Sequence, residues 1–276
     1  MLKYSRLFEN ESYLKEIFNG MKKKLSEIQK DSKFDEEFKK KKSQKFGRIN
    51  NHEMSDNEFF ECMCRCIFTA GFRNIPDEEW KKIKKEFRDF DIDAVTEMSK
   101  WTLDEIFKNF KTIKNFVKII ACIRNASKIK EIAKKHNSFY NYLKSFGDFE
   151  NDTSVVLKLV EELREKFDYI GGAVVYDFLK DVGFECVKPD RHVIRILKRL
   201  KLLENKVNEE HPKEKDIEKI QDIGKKIARL NNCPVKVVDL LFWLYGSGFK
   251  DIVDKAICEE KPNCNECYIK NCPRGK

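Results

Sequence analysis

Apolar residues recur at three- and four-residue intervals along almost the whole chain, the pattern of amphipathic helices. Leu14, Ile17, Phe18, Met21, Leu25 and Ile28 form the first such stripe. A run of lysines at 39–42 follows, and residues 43–51 read as a connector. Ser55, with Glu58 three residues on, matches a capping box and predicts a helix through the apolar, cysteine-rich residues 59–69. Gly71 and Pro76 punctuate the chain, and Asp77 opens a helix with Trp80, Ile83 and Phe87 on one face. The same spacing predicts helices over 103–110, 113–133, 138–146 and 155–167. After a glycine turn a helix runs over 173–182, and Gly183 ends it. Asp190 begins another, with Val193, Ile194, Leu197 and Leu200 inward, and helices over 217–230 and 235–245 complete the set. No alternation of period two is long enough for a strand, and no repeat of roughly 20–50 residues is present. The expected fold class is all-α.

Composition narrows this reading. At 276 residues, 41% hydrophobic and 12% aromatic, the chain can build a sizeable core, which excludes wholesale disorder. Eleven glycines and six prolines exclude collagen-like and low-complexity classes. No stretch approaches the ~18 apolar residues of a membrane span. The start, MLKYSRLFENESYLKE, has no apolar signal segment, so a cytoplasmic, nucleoid-associated chain is expected. The net charge of +9 suits a polyanionic partner, and equally suits the solvated Lys/Glu surface of a heat-adapted protein. Ten cysteines in an intracellular chain point to a metal or cluster rather than to disulfides.

Chemistry concentrates in two places. At Tyr169-Ile170-Gly171-Gly172 one helix runs into two glycines and straight into another. Such glycines serve an ordinary tight turn, or leave bare N–H groups at a helix start, where an anion such as a DNA backbone phosphate is welcome. Eighteen residues after Gly172 stands Asp190, preceded by Pro189, which forces an extended approach. Asp190 is either a simple N-cap or a functional carboxylate beside the basic Lys188, Arg191 and Arg195.

The stretches from Phe167 to Val175 and from Val187 to Val193 resemble the helix-hairpin-helix DNA glycosylase superfamily, whose glycine hairpin is followed at this spacing by a catalytic aspartate. Residues 60–72, 90–98, 118–127 and 169–176 resemble the 3-methyladenine glycosylase I branch. The resemblance implies that Asp190 is catalytic and that Tyr169, Gly171, Gly172, Lys188, Arg191 and Arg195 contact DNA. A glycosylase extrudes a base from the duplex, and a carboxylate stabilises the positive charge that builds on the sugar. Bifunctional relatives carry a lysine just after the hairpin glycines; here Gly172, Ala173 and Val174 fill those slots, which implies a monofunctional enzyme. The branch's glutamate in its first core helix corresponds to Cys66, so its substrate does not transfer.

The tail holds Cys258, Cys264, Cys267 and Cys272 within fifteen residues, four soft ligands in a metal-binding pattern. It resembles the [4Fe–4S] loop of endonuclease III and the adenine glycosylases, with each outer gap one residue shorter. The resemblance favours the cluster; four-thiolate zinc uses the same ligands. Cys62, Cys64 and Cys66 alternate along one helix and read as core residues that cannot share a face, and His192 reads as a helix-packing residue. The expected organisation is a barrel over 55–203 with the hairpin and Asp190, and a second subdomain of 1–54 plus 204–276 with the cluster. The expected function is a monomeric, monofunctional base-excision glycosylase acting on double-stranded DNA, with a bifunctional lyase and a non-catalytic DNA-binding iron–sulfur protein as the alternatives.

Overall fold

A computed structural model describes residues 5–45, 47–49, 52–71, 75–147 and 152–274. Phe72, the last residue of one family-like stretch, lies outside them. The helices are, in chain order, α1 (Arg6–Glu9), α2 (Glu11–Glu27), α3 (Lys33–Ser43), α4 (Asp56–Thr69), α5 (Asp77–Glu86), α6 (Ile92–Glu97), α7 (Leu103–Asn109), α8 (Phe116–His136), α9 (Phe139–Lys144), α10 (Thr153–Lys166), α11 (Val174–Asp181), α12 (Arg191–Arg199), α13 (Glu214–Leu230) and α14 (Val235–Ser247). Two short antiparallel strands pair with each other, β1 (Arg48–Ile49) within the predicted connector and β2 (His52–Glu53) just after it. The protein is all-α in class.

Local signals set the helix ends. Ser55 and Glu58 form the capping box that opens α4: Glu58 N–H donates to Ser55 Oγ at 3.3 Å and Ser55 N–H to Glu58 Oε2 at 2.7 Å. Thr102 and Glu105 do the same for α7. Beyond α11, Gly183 takes a left-handed conformation and Phe184 N–H returns to Leu179 O at 2.8 Å.

The chain forms two compact units, Lys45–Phe184 and a discontinuous unit of Met1–Gln44 with Glu185–Lys276. The continuous unit has an aromatic core. Phe139 meets Phe59 at 5.6 Å and Phe167 at 5.8 Å edge-on, and Trp80 stacks on Phe90 at 5.3 Å. Aromatic pairs gain about 0.5–1.5 kcal/mol each beyond their area burial. In the discontinuous unit Leu14 and Ile17 of α2 and Val193, Ile194 and Leu197 of α12 are fully buried in one cluster with residues of α13 and α14. Those contacts place residues 185–203 with the terminal segments, whereas the helical pattern alone groups them with the hairpin.

Candidate functional site

In the continuous unit the turn between α10 and α11 alternates inward and outward residues. Ile170 is buried, while Tyr169 is 43% exposed with its backbone in the left-handed region at φ 64°. A bulky residue resists that conformation, so tertiary contacts must impose it. The fully buried Asn125 of α8 supplies them. Its Nδ2 donates to Asp168 O and its Oδ1 accepts from Asp168 N–H, both at 2.9 Å. Lys128 Nζ pairs with the Asp168 carboxylate at 3.0 Å, and Lys118 Nζ lies 5.6 Å from the Tyr169 ring centroid. Lys118 is buried, which lowers its pKa, and its amine also donates to Phe68 O and Ala70 O at the C-terminal end of α4. Gly172 has φ 50°, and a Cβ on Gly171 or Gly172 would meet nothing within 4 Å. Among the described residues the amides of Gly171 and Gly172 donate no hydrogen bond. The turn thus presents bare N–H groups at the start of α11.

In the discontinuous unit the segment before α12 is tied down at Glu185, Val187 and Lys188. One Glu185 oxygen accepts from Val235 N–H at 2.6 Å at the start of α14, and the other pairs with the buried Lys236 at 2.9 Å. Gln221 of α13, 1% exposed, clasps Val187: Val187 N–H donates to Oε1 at 2.8 Å and Nε2 donates to Val187 O at 2.7 Å. Lys188 N–H donates to Asp239 Oδ1 of α14 at 2.7 Å. Gly224 lets α13 approach this closely, since a Cβ there would sit 2.3 Å from Val187 Cγ2.

Asp190 ends the segment as the N-cap of α12. Its Oδ1 accepts from His192 N–H at 2.9 Å and Val193 N–H at 3.0 Å. Among the described residues Oδ2 has no hydrogen bond, so capping leaves one carboxylate oxygen available. His192 Nδ1 lies 3.1 Å from Gly246 O, and burial lowers its pKa, with the Asp190 charge opposing. The ring is therefore neutral near pH 7 and packs α12 against α14. Lys188 is half-buried and Arg191 exposed. Arg195 turns inward, its guanidinium pairing with Glu209 at 3.3 Å and Glu260 at 3.8 Å. Its guanidinium charge is thus paired within the chain.

Cys258, Cys264, Cys267 and Cys272 line one cavity of about 40 Å³ with Ile257, Pro262 and Ile269. Arg199 Nη1 stands 3.3 Å from Cys258 Sγ, and Tyr245 Oη 3.1 Å from Cys267 Sγ. Arg199 also donates to the carbonyls of Cys258, Glu259 and Glu260, and Tyr268 and Asn271 fasten the tail to Glu27 and Glu16 of α2. Among the described residues no three of these sulfurs lie within 4.8 Å of one another. Zinc at ~2.3 Å from each sulfur would need them ~3.8 Å apart. Arg199 and Arg274 also line the space, and four thiols with hydrogen-bond donors to sulfur are a donor set that suits an iron–sulfur cluster.

The buried amides Asn125 and Gln221 are positioning residues whose partners lie 43 and 34 residues away, and no local spacing marks those clasps; Asp239 of α14 is the pair partner that its place in the sequence suggests. The three α4 cysteines do not share one face: Cys64 turns to Cys122, while Cys62 and Cys66, four residues apart, point the same way, with their sulfurs and an Asp181 carboxylate oxygen within 4.8 Å of one another.

A family model described as methyladenine glycosylase matches residues 35–189. Among solved structures, the 8-oxoguanine DNA glycosylase of Thermotoga maritima aligns over 86% of this chain and 100% of its own, with a TM-score of 0.52 and 20% identity. The 8-oxoguanine glycosylase/lyase of Methanocaldococcus jannaschii, in complex with a 15mer DNA containing 8-oxoguanine, aligns over 82% of this chain and 96% of its own, with a TM-score of 0.48 and 22% identity. A search of curated proteins gives no match.

Proposed function

The chain belongs to the methyladenine glycosylase family, and on that premise we propose that it is a monofunctional DNA glycosylase, which hydrolyses the N-glycosidic bond of a damaged or mismatched base flipped out of duplex DNA. The observation that carries this reading is Asp190: it caps α12 through Oδ1 alone and leaves Oδ2 for another task. Departure of the base builds positive charge on the deoxyribose, and an adjacent carboxylate stabilises it. Water adds to C1′, the base leaves with a proton, and an abasic site remains. Asp190 stabilises the sugar and orients the water. The amides of Gly171 and Gly172 hold a backbone phosphate, Tyr169 meets the DNA beside them, and Lys188 and Arg191 contact phosphates. Cys258, Cys264, Cys267 and Cys272 hold a [4Fe–4S] cluster that staples the tail, so that the exposed Lys261, Lys270 and Arg274 face the DNA backbone. A brown protein with about four irons per chain supports the cluster; a colourless protein with one zinc contradicts it.

The test is incubation of the protein with duplexes bearing alkylated adenine, 8-oxoguanine, uracil or a mismatched thymine. Alkali-labile sites at one lesion, without strand breaks before alkali, support the proposal; no cleavage at any lesion refutes it for this panel. Lys118 favours a second reading, because burial lowers its pKa beside the hairpin tyrosine, as a lyase amine requires. Borohydride trapping separates the two. A covalent DNA adduct that Lys118→Gln abolishes would establish the lyase.

A further inference from the structure

Within the continuous unit, three ligand-bearing side chains converge where two helices end. Cys62 and Cys66 lie one turn apart on α4, and Asp181 is the last residue of α11. The two sulfurs and a carboxylate oxygen all lie within 4.8 Å of one another, and Cys66 Sγ is 3.7 Å from Asp181 Oδ2. In a tetrahedral site with ligand bonds of ~2.3 Å to sulfur and ~2.0–2.2 Å to oxygen, the sulfur–oxygen edge is ~3.6 Å. The Cys66–Asp181 edge therefore already has the length that a bound ion requires.

We propose that Cys62, Cys66 and Asp181 form a binding site for a thiophilic divalent cation of the zinc class, distinct from the tail cysteines. The donor set, two thiolates and a carboxylate, belongs to zinc rather than to magnesium or calcium, which prefer oxygen throughout. The backbone favours the same sign of charge. Cys66 sits in the last turn of α4 and Asp181 ends α11, so both helices direct the negative ends of their dipoles toward the site. Access is open, since Cys66 is buried, Cys62 half-buried and Asp181 exposed. The fourth ligand is water or Asp177, one turn earlier on α11. Binding replaces each thiol proton with a metal–sulfur bond and releases the proton to solvent, so the affinity rises with pH. The ion would tie α4 to the helix that starts at the hairpin glycines, a structural part independent of the base-excision chemistry.

The decisive experiment is zinc titration of the holoprotein by isothermal calorimetry, with zinc and iron counted by elemental analysis. Wild type is expected to bind one more zinc equivalent than the Cys62→Ser/Cys66→Ser double variant at equal iron content. Heat measured in buffers of different ionisation enthalpy should show proton release. Asp181→Asn, at an exposed position, keeps the fold and should weaken zinc binding at least ~10-fold, which decides the matter if the double variant does not fold. Equal zinc equivalents in wild type and the double variant, or unchanged affinity in Asp181→Asn, would overturn the proposal.

Discussion

Gln221 offers the sharpest test of how the Asp190 segment is held. Replacing it with Leu keeps the volume but leaves Val187 N–H and O without partners at a fully buried residue. Each stranded group costs ~1–3 kcal/mol, so Gln221→Leu should destabilise the protein by about 2–6 kcal/mol, a large share of the ~5–15 kcal/mol that holds a domain together. The effect should reach activity as well. Val187 precedes Asp190 by three residues, and a displacement of ~1 Å at a reacting group can lower a rate ~10²-fold. Gln221→Glu adds a control. Its carboxylate still accepts from Val187 N–H but cannot donate to Val187 O unless protonated. Burial then raises the folded-state pKa above the unfolded value, so the variant should gain stability as the pH falls through that value. Urea melts between pH 4 and 8, with single-turnover base release on the lesion identified for wild type, measure both effects. If Gln221→Leu stays within ~0.5 kcal/mol of wild type, or Gln221→Glu shows the wild-type pH dependence, the clasp does not hold the segment.

Other perturbations give independent checks. Gly172→Ala places a methyl in open space at φ 50°, so it should cost about 1–2 kcal/mol from backbone strain and weaken duplex binding; unchanged affinity in a titration would remove the hairpin from the DNA contact. Burial lowers the His192 pKa, so the unfolded chain binds more protons and stability is lost as the pH falls below about 6.5; melts of His192→Gln should lose that part of the slope. Arg199→Met removes the donor to three tail carbonyls and should cost about 3 kcal/mol and speed proteolysis of residues 258–274; unchanged melts and digestion rates would contradict the tail anchoring.

Local chemistry was legible in the sequence. The three- and four-residue apolar spacing gave the helices, Ser55 with Glu58 gave the start of α4, Gly183 gave the end of α11, and Asp190 after Pro189 gave the cap of α12. Each depends on residues within one helical turn. What the sequence hides is set by contacts across the chain. Asn125 and Gln221 look like ordinary helix polar residues until the turns they clasp are seen. Arg195 reads as a cation beside Asp190, yet Glu209 and Glu260 hold it inward. Asp181 lies 115 residues from Cys66, and only the packing of α11 on α4 joins them. The left-handed backbone of Arg88, Asp89 and Phe90 likewise follows from no glycine or asparagine signal.

Asp190→Asn tests the central claim most directly, because asparagine caps a helix about as well as aspartate and removes only the negative charge. The predicted result is a melt within ~0.5 kcal/mol of wild type and a single-turnover base-release rate lower by at least ~10²–10³-fold. Base release at the wild-type rate from an equally stable variant would show that Asp190 is a helix cap and nothing more.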